Sequence, residues 1–320
     1  VTESPQKDRA AITFLMGCTG SGKGAVGRLL AQRIGAEIIS VDSMKIYRRM
    51  DVGTAKPTAA QRALVPHHLL DVVEPSEEYS VAQFVAAADE TIGAIRSRGR
   101  HVLCVGGTSL YIKAVSEGLF EGPSADLEVR ARLKARAETE GGEVLHAEMR
   151  RIDPQAAERI HPNDLRRIVR ALEVYELTGQ PITALQTQWD QQRTVYDCTF
   201  VALRHSREEQ SRRTNLRVAR MIDAGLVAEV QGLLAEERPL SETARRAVGY
   251  AEIIAHLEGR ISLDRAIEDI RINTRHFAKA QRTWFRRFPA TQWIDVVPGD
   301  TAESVAARIE ALENAPWSRP

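Results

Sequence analysis

Residues 11–24 read AITFLMGCTGSGKG, an apolar run that closes on a glycine-rich turn and a lysine. Such a run is the text of a strand buried on both faces, and strands of that kind belong to parallel sheets covered by helices on either side. Gly17, Cys18, Thr19, Gly20, Ser21, Gly22 and Lys23 match G-x-x-x-x-G-K. In that pattern, glycines let backbone N–H groups converge on phosphate oxygens, the following helix adds its dipole and the lysine a full charge. Gly24 departs from the pattern, because a Ser or Thr hydroxyl ordinarily reaches Mg²⁺ from that position. Phosphate binding by Gly17 to Gly24 is expected, with a weakened Mg²⁺ site.

The elements that follow keep to the same architecture. A helix over Lys23 to Ile34 carries Val26, Leu29, Leu30 and Ile34 at helical spacing and stops at Gly35. AEIISVD reads as a second buried strand. A loop through Pro57 and Pro66 follows, then a helix from Val81 to Arg98 with Phe84, Val85, Ala88, Ile92 and Ile95 on one face, and HVLCVGG as a third strand. From about Pro123 the text turns charged, Ala- and Arg-rich and helical until strand YDCTFVAL at Tyr196 to Leu203. Helices are then expected over Glu208 to Ala224, Leu226 to Glu236, Thr243 to Leu257 and Ser262 to Arg287.

Composition excludes several classes. The chain has 320 residues, long enough for one large domain and a smaller one. Its net charge of +1 argues against a protein that coats nucleic acid non-specifically, so any basic surface must be local. Cys18, Cys104 and Cys198 lie far apart with no CxxC pair, which argues against disulfides and a zinc finger. His67-His68 lacks a third metal ligand and reads as a structural turn or lining pair. No apolar run is long enough to span a bilayer and the polar start is no secretory signal, so a cytoplasmic protein without membrane contact is expected.

Three polar features fall at the C-terminal ends of predicted parallel strands: the phosphate loop, Asp42 with Ser43, and Gly106-Gly107-Thr108. In a doubly wound sheet those ends share one edge, where ligands bind. Asp42 beside a polyphosphate fits a metal ligand, a general base or a plain turn cap. Thr108 fits an N-cap, a phosphate contact or both.

Two later helices carry arginine. In HPNDLRRIVRALEVY, Leu165, Ile168, Val169 and Leu172 form one face with Tyr175 at its edge, and Arg166, Arg167 and Arg170 point away. In the last long helix, Arg271, Arg275, Lys279, Arg282 and Arg286 share a narrow sector at ~100° per residue, opposite Leu263, Ile270, Phe277 and Trp284. Such faces are either solvated surface or phosphate contacts. Tyr47, Trp189 and Trp284 read singly as core.

From about Ala11 to Phe288 the sequence resembles the bacterial tRNA dimethylallyltransferases, also called tRNA isopentenyltransferases. The resemblance is carried, in order, by GCTGSGKG, SVDSMKIYRRMDVGTAKP, PHHLLDVVEPSEEYSVAQF, GGTSLYIKAVSEGL, IHPNDLRRIVRALEVYELTG and KAQRTWFRRF. It implies an α/β fold with a P-loop NTPase-like parallel sheet flanked by helices, residues 1–122 and 197–320, and an inserted all-helical domain contacting tRNA, residues 123–196. The implied activity is transfer of a dimethylallyl group from its diphosphate to N6 of adenosine 37, next to the anticodon. Asp42 is implied as the base, Thr108 and the loop as holders of the diphosphate, and Arg217, with Arg213 as a further candidate, as aids to its departure. At the tRNA the resemblance places Asp42, Ser43, Met44, Lys45, Thr108, Arg130, Arg166, Arg167, Ile168, Val169, Arg170, Arg246, Val248, Gly249, Tyr250, Lys279, Arg282, Trp284 and Arg286. The implied partners are a tRNA anticodon stem-loop and dimethylallyl diphosphate, and a monomer is expected.

The chemistry agrees with these residues, since an exocyclic adenine amine needs positioning and proton removal while the leaving diphosphate needs donors and cations. Ala251 and Ala280 stand where relatives often carry Arg. Three rivals remain open on sequence: an enzyme acting on free AMP or ADP, a small-molecule kinase using the loop for ATP, and a catalytically weakened tRNA-binding homologue.

Overall fold

The computed structural model describes residues 11–119, 122–186, 195–288, 290–312 and 317; Trp189 lies outside them. β1 (Ala11–Gly17), β2 (Ala36–Val41), β3 (His67–His68), β4 (His101–Gly106), β5 (Asp197–Arg204) and β6 (Gln292–Asp295) form one sheet in the order β3-β2-β4-β1-β5-β6. Every pairing is parallel. Both faces of β1 are buried, as its unbroken apolar text requires. Ile12, Phe14 and Met16 join a core with Phe84, Ala88, Ile92 and Ile95 of α3 (Val81–Ser97), and with Tyr111, Ile112 and Val115 of α4 (Ser109–Glu117). Leu15 joins the opposite core with Val26, Leu30 and Ala31 of α1 (Lys23–Ile34). Helix α1 ends where Gly35 adopts φ 66°, a left-handed conformation that costs glycine little.

The chain divides into two compact units, Val1–Ser116 with Tyr196–Pro320, and Glu117–Val195. The second is helical in its described residues: α5 (Leu127–Glu140), α6 (Gly142–Ile152), α7 (Pro154–Arg159), α8 (Leu165–Thr178) and α9 (Ile182–Leu185). Leu133, Leu145, Met149, Ile168, Val169, Leu172 and Val174 form its core. Asp126 caps α5 and Asp153 caps α7, each through a side-chain oxygen that accepts first-turn N–H groups.

Back in the first unit, α10 (Arg207–Asp223), α11 (Leu226–Leu234), α12 (Glu242–Arg245), α13 (Tyr250–Leu257) and α14 (Leu263–Phe285) build a further apolar cluster around Tyr47, Met50, Val230, Tyr250 and Ile253. α2 (Ala59–Leu64) breaks the loop expected between Pro57 and Pro66, and α15 (Ala302–Glu310) packs on the α1 face.

Several sequence expectations need correction. The helix expected over Thr243 to Leu257 is two helices, because Gly249 takes φ 97°, a conformation that interrupts the helix between them. His67 and His68 are not a turn: they form edge strand β3 against Ile38 and Ile39, and His68 Nε2 lies 2.7 Å from Glu37. The apolar stripe of α14 is displaced. Its buried residues are Ala266, Ile270, Thr274, Ala278, Gln281 and Phe285, whereas Phe277 is 46% exposed and Trp284 is half-buried with Arg287 5.0 Å above its ring.

Candidate active site

Strand register brings the three polar features together. Gly106 sits opposite Met16 on one side and Val41 on the other, so the phosphate loop, Asp42 and Gly107-Thr108 leave neighbouring strands at one edge. Gly106 must lack a side chain, since a Cβ there would lie 2.0 Å from the Val41 carbonyl oxygen. Gly107 and Thr108 both donate their N–H to that oxygen, at 3.2 and 3.3 Å.

Asp42 combines two of the roles open on sequence. Its Oδ1 accepts N–H bonds from Met44 at 3.0 Å and Lys45 at 3.4 Å, so it caps the turn. Oδ2 has no hydrogen-bond partner among the described residues and is free to take a proton. Thr108 Oγ1 accepts from the Ser43 N–H at 3.0 Å and lies 3.4 Å from Ser43 Oγ. That bond locks the two strand ends together.

Three cations act on this one carboxylate: Lys23 from the start of α1, Lys45 from the turn after β2, and Arg217 from α10. Burial first, then the neighbouring Lys45 and Arg217, bring the Lys23 pKa down to about 8 against the opposing pull of Asp42. Burial also lowers the Lys45 pKa, against the pull of Asp42 and with the push of Arg217 and Arg28. Arg217 is likewise depressed by burial, which Asp42 offsets only in part. The cluster carries excess positive charge, an arrangement that awaits an anion.

Within the loop, Gly20 and Gly22 take φ 80° and 88°. Lys23 Nζ lies 3.4 Å from the Cys18 carbonyl oxygen. Two loop assignments change. The Cys18 thiol donates to the Ala278 carbonyl at 3.2 Å, so its side chain points into the core; and the Thr19 N–H is spent on Gln281 Oε1 at 2.9 Å. The N–H groups of Gly20, Gly22 and Gly24 have no acceptor among the described residues. Ser21 is buried, with its oxygen 3.4 Å from the Lys23 nitrogen, and a Cβ at Gly17 would lie 2.4 Å from that same oxygen.

The residues that the resemblance placed at RNA divide by exposure. Arg166, Arg167, Arg246, Val248, Lys279 and Arg286 are exposed, and Arg282 is half-buried. Arg246 pairs with Glu242 at 2.7 Å. Ile168 and Val169 are 0% and 4% exposed, with their side chains in the helical core, so they present no surface to a partner. Tyr250 is equally buried, its hydroxyl donating to Glu229 Oε1 at 2.6 Å, and the Gly249 N–H is taken by Glu252. Arg130 and Arg170 converge on Glu173, at 2.8 and 2.6 Å, inside the helical unit. There, burial would raise the Glu173 pKa, but the bonds from Arg130 and Arg170 outweigh it and hold the carboxyl below its usual range.

Between α10 and α14 runs a cleft of about 370 Å³ whose lining includes Arg207, Arg275, Lys279, Arg282 and Arg286 and no carboxylate. Lys279, Arg282 and Arg286 thus share one basic cleft.

A family model described as IPP transferase matches residues 45–288. The chain belongs to the IPP transferase family. A tRNA dimethylallyltransferase of Geobacter metallireducens is 45% identical over 290 residues, 91% of this chain and 94% of its own. One of Geotalea uraniireducens is 44% identical over 90% of this chain and 93% of its own. Among solved structures, the full-length tRNA isopentenylpyrophosphate transferase of Bacillus halodurans has a TM-score of 0.69 at 37% identity, with 95% of each chain covered. A eukaryotic dimethylallyltransferase acting on tRNA has a TM-score of 0.77 at 25% identity, covering 94% of this chain and 77% of that one.

This IPP transferase also holds its site with residues that the sequence did not single out. Gln210 Nε2 donates to the Thr19 carbonyl at 2.7 Å and His205 Nε2 lies 3.0 Å from the Ser21 carbonyl. Glu229 accepts N–H bonds from Asp51, Val52 and Gly53 at 2.9, 2.7 and 3.1 Å. The loop it holds supplies the Thr54 carbonyl that Arg217 Nη2 donates to, at 3.3 Å. Gly53 is the one local sign of this arrangement, since a Cβ there would lie 2.4 Å from the Tyr250 ring. Among the described residues no cluster of His, Cys, Asp and Glu could hold a metal, and no helix is long and apolar enough to cross a membrane.

Proposed function

We propose that this IPP transferase moves a dimethylallyl group from dimethylallyl diphosphate to N6 of adenosine 37 in a tRNA anticodon loop and releases diphosphate. The observation that carries the reading is one carboxylate with a free oxygen set beside an excess of partly buried cations and a phosphate loop. The diphosphate lies on the N–H groups of Gly20, Gly22 and Gly24 and is neutralised by Lys23, Lys45 and Arg217, with Arg213, whose Nε donates to the Gly20 carbonyl at 2.9 Å, alongside. N6 attacks the allylic carbon, a new C–N bond forms, the C–O bond breaks and its electron pair leaves with the diphosphate. Asp42 Oδ2 takes the N6 proton. Thr108 serves by fixing Ser43, and with it the strand end that carries Asp42.

Arg166 and Arg167 on α8, and Lys279 and Arg282 on α14 with Arg286 just past its end, contact RNA phosphates, where the planar guanidinium fork suits phosphate geometry. The chain's own donors do not fit a protein-held Mg²⁺: Gly24 has no hydroxyl, and Asp42 stands among cations rather than other carboxylates. The charge on the diphosphate is met by lysine and arginine.

Incubation with dimethylallyl diphosphate and an anticodon stem-loop RNA yields isopentenyladenosine at one position, detectable by mass analysis of the digested RNA. Equal product from AMP alone, with none from RNA, overturns the tRNA assignment.

A further inference from the structure

The buried side-chain amide of Gln281, on α14, hydrogen-bonds directly to the phosphate loop. It is 5% exposed. Its Oε1 accepts the Thr19 N–H at 2.9 Å and its Nε2 donates to the Gly107 carbonyl at 2.8 Å. The orientation of the amide is fixed by chemistry, because a peptide N–H only donates and a carbonyl only accepts. Gly107 is shaped to it, since a Cβ there would lie 2.3 Å from Nε2.

Both peptide groups at Thr19 are thereby held: the N–H by Gln281, and the carbonyl by Gln210 at 2.7 Å. Between the clamped Thr19 and the start of α1, Gly20 and Gly22 turn through positive φ and their N–H groups stay unclaimed. A loop of five flexible residues would have to order itself on every encounter with an anion. Here the ordering is built in, and preorganisation of donors raises affinity without adding a contact.

We propose that Gln281 is a positioning residue for the diphosphate. By binding Thr19 and Gly107 together it sets the direction of the loop's free N–H groups and ties them to the strand end that carries Thr108. This rests on the diphosphate reading above, and it assigns to a buried glutamine a share of substrate affinity rather than of chemistry.

The test compares wild type, Gln281→Met and Gln281→Glu. Methionine keeps the volume and loses both bonds; glutamate keeps the acceptor for Thr19 and sets a carboxylate against the Gly107 oxygen. Binding of inorganic pyrophosphate is measured by calorimetry, and prenylation of a stem-loop RNA by steady-state kinetics. The methionine variant should weaken pyrophosphate binding and raise KM for dimethylallyl diphosphate by about tenfold, with kcat within about threefold. The glutamate variant should lose more than the methionine one. Either variant suffices should the other fail to fold, as judged by its thermal midpoint. Pyrophosphate affinity and KM within twofold of wild type, or kcat falling at constant KM, overturns the inference alone. A wild type that binds no pyrophosphate overturns the diphosphate reading beneath it.

Discussion

Two clusters in this molecule each set one carboxylate among basic side chains and reach opposite ends. In the helical unit, the fully buried Glu173 draws in Arg130 and Arg170 and also accepts the Asp126 N–H at 2.7 Å, so its carboxylate is saturated. In the α/β unit, Asp42 interacts with Lys23, Lys45 and Arg217 and keeps one oxygen unbonded among the described residues, and burial depresses the pKa of each of those cations. A saturated cluster holds structure together. An unsaturated one, kept at a cost of desolvation, implies a ligand that completes it.

The largest effect should fall on the free oxygen. Asp42→Ala should lower kcat by ~10²- to 10⁴-fold, the usual share of a positioned general base, while KM for dimethylallyl diphosphate changes little. A kcat within tenfold of wild type in single-turnover prenylation would remove Asp42 as the base and leave it a turn cap. Arg217→Ala should cost about 10- to 100-fold in kcat/KM, the worth of one charge-assisted contact to the departing diphosphate. Pyrophosphate affinity should fall in step.

The other cluster should respond in stability. Glu173→Gln leaves two partly exposed arginines without their carboxylate, and should destabilise the helical unit by about 1–3 kcal/mol after allowance for solvent at the guanidinium groups. Denaturant melts read this directly. At temperatures well below the transition, kcat and the KM for dimethylallyl diphosphate should match wild type; a fall in affinity for RNA alone would instead return Arg130 and Arg170 to the list of RNA contacts.

Most of the site-bearing architecture was legible in the sequence because it depends on chain direction and hydropathy. Largely apolar runs mark four of the six strands, and parallel strands put their C-terminal ends on one edge, which brings the loop, Asp42 and Thr108 together. What stayed hidden has a physical cause in each case. The buried face of α14 uses Ala266, Thr274, Ala278 and Gln281, small or polar residues that carry no strong apolar signal, whereas Phe277 and Trp284 do; Ala278 and Gln281 of that face meet the loop. Gln281, Gln210 and Glu229 act on backbone atoms far away in sequence, and no local pattern marks such a partner. Arg130 and Arg170 looked free because their carboxylate, Glu173, lies on the face of α8 that the apolar residues seem to own.

The smallest effect, and the one that bears most directly on why the active-site cluster is unsaturated, is in the pH dependence. Lys23 in the free protein is depressed to about 8, first by burial and then by Lys45 and Arg217. Below that pH it is charged and ready for diphosphate; above it, the neutral amine must take up a proton when the anion binds, because the bound anion favours the ammonium form. KM for dimethylallyl diphosphate should therefore be flat below about pH 8 and rise above it, by at most tenfold per pH unit. Lys45→Met removes the larger of the two repelling charges and should move the rise to higher pH, at the expense of weaker binding throughout. A rise unmoved by Lys45→Met would mean that Lys45 has no share in setting Lys23, and that the two lysines do not share one anion.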